Sequence, residues 1–501
     1  MLPTRSAAVR RSALPVLAAL ALALAMGFIN LDGYLMNNDE ETYLYGAWRV
    51  SLGEVPYADF MVVQTPLGFY LAGALFKVFG PSVWWARALS YLLVLGAAVF
   101  VAAAARSIFR FGPLVSLACG VVFLFSKHVY FLGRSFMPDS AMLFFAAGAV
   151  YFALRGEAGQ VGDAAPPGRR GLSAFLFGVF AGLAALAKLN AVLLVTAYGL
   201  YAAVLWIGRK ERFPDVARRC LAAGAGFLTT FGLVYGLMLL FVPGTFQATL
   251  GVHAAKAKFA LADLLLLWGE RIAEFIGNHN YGIIAVAAAG MVFRPVFRER
   301  KRTFLVFVVL AVLAQILMPV TFYLRYAIMA LIPLALFFGD GLEGLASMKK
   351  GWKKIPVSAA AGLLVLLGLL PSFSPKKLLA VEKSTREIAD FVRSRTAPND
   401  YVFGETPFAN FYARRPCPPA LVDVSMARTK SGQVRPADVK RECDRFKVKM
   451  IVVERGGAAH NLTNLRPYSE FQEYLDARYD LVKSMRREFL DVDIYQRKPG
   501  I

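Results

Sequence analysis

Apolar residues along this chain come mostly in runs long enough to cross a lipid bilayer. A spanning helix needs about 20 mostly apolar residues. Such runs lie near 13–31, 88–105, 112–127, 138–154, 172–187, 190–207, 220–241, 281–296, 303–319, 325–340 and 355–371, which predicts about eleven transmembrane helices. After residue 371 the pattern changes to the short alternations of a soluble fold. There "STREIADFVRSR" and "YSEFQEYLDAR" have helical spacing, while "DYVFGE", "VKMIVVE" and "FLDVDIYQR" read as strands. The expected architecture is an α-helical polytopic membrane protein, residues 1–374, followed by a small α/β domain, residues 375–501.

Composition agrees with that division. The chain is 57% hydrophobic and only 18% charged, against about 25% charged in soluble domains. A formal net charge of +22 would point to nucleic acid in a soluble protein. In a membrane protein the same excess belongs to cytoplasmic loops, so no nucleic-acid partner is expected. The clusters "GRKERFPDVARR", "RPVFRERKR" and "KKGWKK" do fall in alternate connections. This places the N-terminus inside the cell membrane, with 32–87 and 375–501 extracytoplasmic. The first run follows "RR" as a signal peptide would, but either reading leaves the later loops on the same sides. Four cysteines are too few for a disulfide framework. Cys119 and Cys220 lie in or beside apolar runs, and Cys417 and Cys443 are either bridged or two unrelated thiols.

The outer loop 32–87 is long for a connector and rich in aromatic residues, including Trp48, Tyr57, Phe60, Phe69, Trp84 and Trp85. Its segments "ETYLYGAWRVSL" and "PLGFYLAGALFKVF" read as amphipathic helices on the membrane surface, placed to roof a site at the lipid boundary. The loop opens on three consecutive acids, Asp39, Glu40 and Glu41. Their plainest use would be as solvated groups or helix caps. Asp139, just after Pro138, has an equally plain use as a cap. The four histidines, at 128, 253, 279 and 460, show no metal-ligand spacing. No metal site or other cofactor is predicted, although the outer carboxylates leave room for a divalent cation.

Five stretches carry a resemblance by their order: "NNDEETY", "GEVPYADFMVVQTPLGFYLAGALFKVFG", "RSFMPDSAMLFF", "GVFAGLAALAKLNAVLL" and "FYLRYAIMALIPLAL". Together they resemble the GT-C superfamily of polytopic glycosyltransferases, in the branch of the protein O-mannosyltransferases and the lipid A aminoarabinose transferase. Each motif alone is weak; their order within the right topology is the signal. The resemblance spans roughly residues 30–340.

It implies transfer of one hexosyl or pentosyl unit from a polyprenyl-phosphate donor to an extracytoplasmic lipid, glycan or protein, with inversion at the anomeric carbon. Such a reaction needs a carboxylate to take the acceptor proton, and Asp39 matches the family's acid. Glu40 beside it would bind or orient a partner, because neighbouring helix residues point in different directions. Asp139 matches a second acid near the reaction centre. Arg134 would pair with Asp139 or face the donor phosphate. The outer cations Lys188, Arg325, His253, Lys256 and Lys258 stand where the leaving phosphate would need charge, or else reach for the interface without further role. The rival reading is a transporter or flippase for a lipid-linked sugar. That would place ionisable groups deep in helices or repeat one half of the chain in the other; here the ionisable residues lie almost entirely at the ends of the apolar runs, and the two halves show no symmetry.

Overall fold

The computed structural model describes residues 21–33, 38–157, 167–252, 261–277, 280–315, 324–347, 383–430, 432–455, 462–487 and 490–500. Every predicted apolar run within these residues coincides with helix. The run at 355–371, and with it the boundary at 374–375, lies outside the described residues. Among the described residues, five helices are long and apolar enough to cross a membrane: Val83–Ser107, Arg169–Ala187, Leu189–Ile207, Phe213–Phe241 and Ile328–Ser347. A sixth span is possible as Pro113–Phe125 continued by Lys127–Gly133, bent by 67°. Pro138–Glu157 is as long but carries Asp139, Arg155 and Glu157. Tyr281–Phe293 is a shorter apolar helix.

Helix ends are set by local chemistry. Ser82 is extended and its hydroxyl accepts from the Trp84 N–H at 3.2 Å, which starts Val83–Ser107; Pro113 opens the next helix at a position where its missing N–H costs nothing. Between helices, small residues allow close approach, the usual device where lipid supplies no hydrophobic drive. A Cβ on Gly178 would stand 1.9 Å from the Ala223 carbonyl oxygen, and one on Gly226 2.1 Å from that of Phe175. The helices Pro167–Ala187 and Phe213–Phe227 therefore pack backbone to backbone. Gly290 and Gly341 do the same for Tyr281–Phe293 and Leu331–Ser347.

Polar contacts sort the connections into two ends, separated by the length of the 20-residue helix Pro138–Glu157, about 30 Å. At the Glu157 end, Arg219 donates to Glu157 at 2.6 Å and to Glu211, which also takes Arg300. Nearby, Glu343 accepts from the Gly112 N–H at 3.1 Å, and Lys301 donates to the Ile108 carbonyl at 3.4 Å. The connections expected on the basic face thus touch one another. At the Asp139 end lie the helices Asn38–Ser51 and Leu67–Phe79 of the aromatic loop, and the C-terminal sheet.

That sheet has four strands in the order β1-β2-β4-β3. Strand β1 (Val402–Gly404) runs parallel to β2 (Met450–Arg455), with Val402 opposite Met450. Strand β4 (Leu490–Arg497) is antiparallel to β2, with Ile451 opposite Tyr495. Strand β3 (Tyr479–Arg487) closes the edge against β4, with a register shift between Leu481 and Lys483. On one face Ile388, Val392 and Phe408 cover Val402, Met450, Val452 and Ile494. On the other, Ile451, Val453 and Tyr495 join the large cluster that also holds Phe471 and Leu475. The three predicted strands and two predicted helices of this region are present. Strand β3 is additional, and its exposed, charge-bearing residues are what an edge strand uses against unwanted pairing.

Candidate active site

Three acids in a row open the helix Asn38–Ser51, where an N-terminus favours negative charge. Successive helix residues turn by about 100°, so the three carboxylates diverge. Each meets a different arginine. Asp39 Oδ2 accepts from Arg325 Nη1 at 2.5 Å. Glu40 takes the two-pronged guanidinium of Arg87 at 2.7 and 2.8 Å, together with the Phe136 N–H at 2.7 Å. Glu41 accepts from Arg487 of β3. The three differ in access to water. The Glu40 and Glu41 side chains are fully buried, whereas that of Asp39 is 44% exposed.

Across from Asp39 stands a second pair. Asp139 begins its helix just after Pro138, fully buried, and its Oδ1 accepts from Lys188 Nζ at 2.5 Å. Its Oδ2 is buried without a hydrogen-bond partner. Lys188 is the extended residue between the helices ending at Ala187 and beginning at Leu189, and its ammonium lies 5.0 Å from the centre of the Tyr326 ring. Tyr326 adjoins Arg325, so the two pairs share one short turn. Tyr43, one helical turn beyond Asp39, is buried among the charges of Asp39, Arg325, Asp139 and Asp423. Burial, and then the negative charge of Asp39, push its hydroxyl well above the usual tyrosine range. Beside it a cavity of about 10 Å³ is lined by Tyr43, Gln64, Thr65, Gly68, Phe69, Phe136 and Pro138. The Thr65 hydroxyl and both polar atoms of the Asn190 amide are also buried without partners. Polar atoms left unspent beside a charge cluster are where a hydroxyl-rich ligand finds bonds.

The C-terminal residues form part of the walls. The Met61 N–H donates to the Pro419 carbonyl at 2.9 Å, the Val63 N–H to Asp423 Oδ2 at 3.1 Å and the Cys417 N–H to the Tyr45 hydroxyl at 2.9 Å. Arg414 donates to the Pro81 carbonyl at 2.6 Å and stacks its guanidinium over Trp48. Burial raises the Asp423 carboxyl above its usual range, against the pull of Arg428.

Of the residues singled out in the sequence, the structure brings Asp39, Asp139, Lys188 and Arg325 into one cluster. Glu40 lies beside it but is enclosed by Arg87 and the Phe136 amide. Arg134 turns toward the segment before the acids, donating to the Ile29 carbonyl at 2.5 Å and to the Tyr130 hydroxyl at 3.2 Å. His253, Lys256 and Lys258 lie outside the described residues. Arg87, Tyr43, Asp423 and Arg487 were not among the sequence candidates. Arg87 had a signal, as a lone charge within the apolar run "VWWARALSYLL", and Tyr43 stands four residues from Asp39 on the same helix face. Arg487 had none.

Residues 62–254 match the family described as dolichyl-phosphate-mannose-protein mannosyltransferase, a stretch that includes Asp139 and Lys188. No protein of curated function matches the chain. Among solved structures the chain is similar to ArnT from Cupriavidus metallidurans in the apo state, with TM-score 0.66 and 16% identity over 96% of this chain and 97% of that one. The same protein bound to undecaprenyl phosphate gives TM-score 0.64 and 17% identity over the same shares. The Archaeoglobus fulgidus oligosaccharyltransferase in its apo form gives TM-score 0.55 and 12% identity over 87% of this chain and 69% of that one. At these identities the likeness is one of fold.

Proposed function

We propose that the chain is an integral-membrane glycosyltransferase that moves one sugar from a polyprenyl-phosphate donor to an acceptor hydroxyl on the extracytoplasmic face, inverting the anomeric centre. The observation that carries this reading is the convergence of Asp39–Arg325 and Asp139–Lys188 at one end of a membrane-spanning bundle. Two supports come from outside the site: the mannosyltransferase match at 62–254, and the likeness of fold to a protein solved with undecaprenyl phosphate.

In this reading the acceptor oxygen attacks the anomeric carbon while the bond to the phosphate oxygen breaks. Asp39, whose carboxylate is open to water, takes the acceptor proton. Negative charge accumulates on the departing polyprenyl phosphate, where the fixed cations Arg325 and Lys188 stabilise it. Asp139 holds Lys188 in place. Arg325 has two claims on it, since the donor phosphate competes with Asp39 for the same guanidinium. Donor binding then loosens the Asp39 carboxylate for its role as base. No resident cofactor is invoked. The acidic helix and the C-terminal sheet lie outside the cell membrane and the basic connections inside, with the C-terminal residues acting as a wall over the site.

Purified protein in lipid, given a radiolabelled polyprenyl-phosphate sugar and an envelope extract as acceptor, tests the reading. Release of polyprenyl phosphate together with transfer of label is expected. Asp39→Asn should lower turnover by about 10²–10⁴, the usual contribution of a general base, with donor binding retained. Label that crosses the bilayer still joined to its lipid would make the protein a flippase instead. Near wild-type turnover in Asp39→Asn would remove Asp39 as the base.

A further inference from the structure

The proposed base sits on the first turn of a helix, and that turn is gripped from outside the membrane bundle. Arg487 is almost wholly buried, with its side chain 3% exposed, and its three donor directions are all in use. Nε donates to the Thr385 hydroxyl at 3.0 Å, Nη1 to Glu454 at 2.7 Å and Nη2 to Glu41. Its guanidinium carbon lies 4.1 Å from the centre of the Phe408 ring, and Thr406 donates to the same Glu454 oxygen at 3.1 Å. One side chain thus ties β3, β2 and the helix Ser384–Arg395 to the helix Asn38–Ser51 that carries Asp39.

Asp39 and Glu41 are two residues apart, so they point about 200° apart around the helix axis. Glu40 between them is held by Arg87 and the Phe136 amide. Two fixed points on one helical turn, pulled in different directions, leave the turn no freedom to roll. We propose that Arg487 is a positioning residue of the transfer reaction, holding the acidic turn through Glu41 so that the Asp39 carboxylate meets the acceptor hydroxyl. This rests on the reading of Asp39 as the base. It makes the C-terminal sheet a working part of the active site, because the sheet supplies the residue that sets the aim of the base. A fork that reaches three partners at once is a task for arginine and not for the single point charge of lysine.

A double-mutant cycle separates positioning from simple loss of fold. Misplacement of a reacting group by about 1 Å costs on the order of 100-fold in rate, so Arg487→Met should lower kcat by about 10- to 100-fold with donor Kd unchanged. Arg487→Lys should recover only part of the loss. The decisive variant combines Arg487→Met with Asp39→Asn, its residual turnover measured in a single round. If Arg487 acts through Asp39, the double variant is no slower than Asp39→Asn alone. Multiplied losses, or wild-type kcat in Arg487→Met, would overturn the proposal. If Arg487→Met does not fold, as judged by its elution and thermal unfolding, Glu41→Leu, which has no acceptor for Arg487, carries the same cycle with the side chain's size nearly kept. Wild-type turnover in Asp39→Asn would instead strike the base assignment, an outcome distinct from either result for Arg487.

Discussion

At Glu41, burial and charge oppose each other. Burial is the larger effect and raises the carboxyl to about 7, Arg487 pulls it down, and Glu454, which shares the same guanidinium, pushes it up again. One cation between two buried carboxylates leaves room for one extra proton near neutral pH. The consequence for stability has a definite sign. A carboxyl whose folded-state value lies above its ordinary value of 4.5 binds more protons folded than unfolded between 4.5 and about 7. Stability therefore falls as pH rises through that window and levels off above it. Thermal unfolding in detergent should show wild-type protein more stable at pH 6 than at pH 8. Glu41→Gln, which cannot ionise, should lose that part of the difference. A wild-type and variant pair with parallel pH dependence would mean that Glu41 stays charged throughout. Asp39, two residues earlier, has a different setting: it is open to water and faces an arginine of its own.

Among the elements, the crossing of Pro167–Ala187 and Phe213–Phe227 is the most exacting, because Gly178 and Gly226 each stand where a Cβ would meet the other helix's backbone. Backbone atoms cannot swing aside as a side chain can. Gly178→Ala should therefore force the pair apart, at a cost of about 1–3 kcal/mol, seen as a lower unfolding temperature. Gly199 lies in the helix Leu193–Ile207 with nothing within 4 Å of the added methyl. Gly199→Ala should be neutral or slightly stabilising, since alanine is the better helix former. Equal responses at the two positions would sink the close-packing argument. Elements were also what the sequence displayed best. Long apolar runs need no partner to be recognised, and the unbroken apolar "MIVV" of β2 is buried on both faces, as such a run suggests. Strand β3, by contrast, exposes most of its residues at the sheet edge and so shows no apolar rhythm. The site was legible one residue at a time. Asp139, Lys188 and Arg325 each stand at the end of an apolar run, and Asp39 opens an acidic triplet in the loop beyond one, where charge is conspicuous. Their pairing was not legible, because Asp39 and Arg325 are 286 positions apart. Arg487 sits within "KSMRREF", where nothing distinguishes it from solvated neighbours.

Over the whole molecule, charge is distributed by end. Arg219, Arg300 and Lys301 gather with Glu157, Glu211 and Glu343 at one end. The candidate site and the C-terminal sheet occupy the other. Basic connections stay on the cytoplasmic side of a membrane, so this division predicts that the sheet and the site face outward, where a lipid-linked sugar would be consumed. Exposed positions at the two ends test it: Ala477, near the end of the helix Tyr468–Arg478, and Arg298, in the basic connection before the helix Arg300–Ala314. In a background with Cys119, Cys220, Cys417 and Cys443 replaced by alanine, Ala477→Cys should react with an impermeant thiol reagent in intact cells. Arg298→Cys should react only after the membrane is opened. The reverse pattern would put Asp39 and Arg487 on the cytoplasmic side. An extracytoplasmic acceptor could then not reach the proposed base, and the transfer reaction as drawn would fail with the topology.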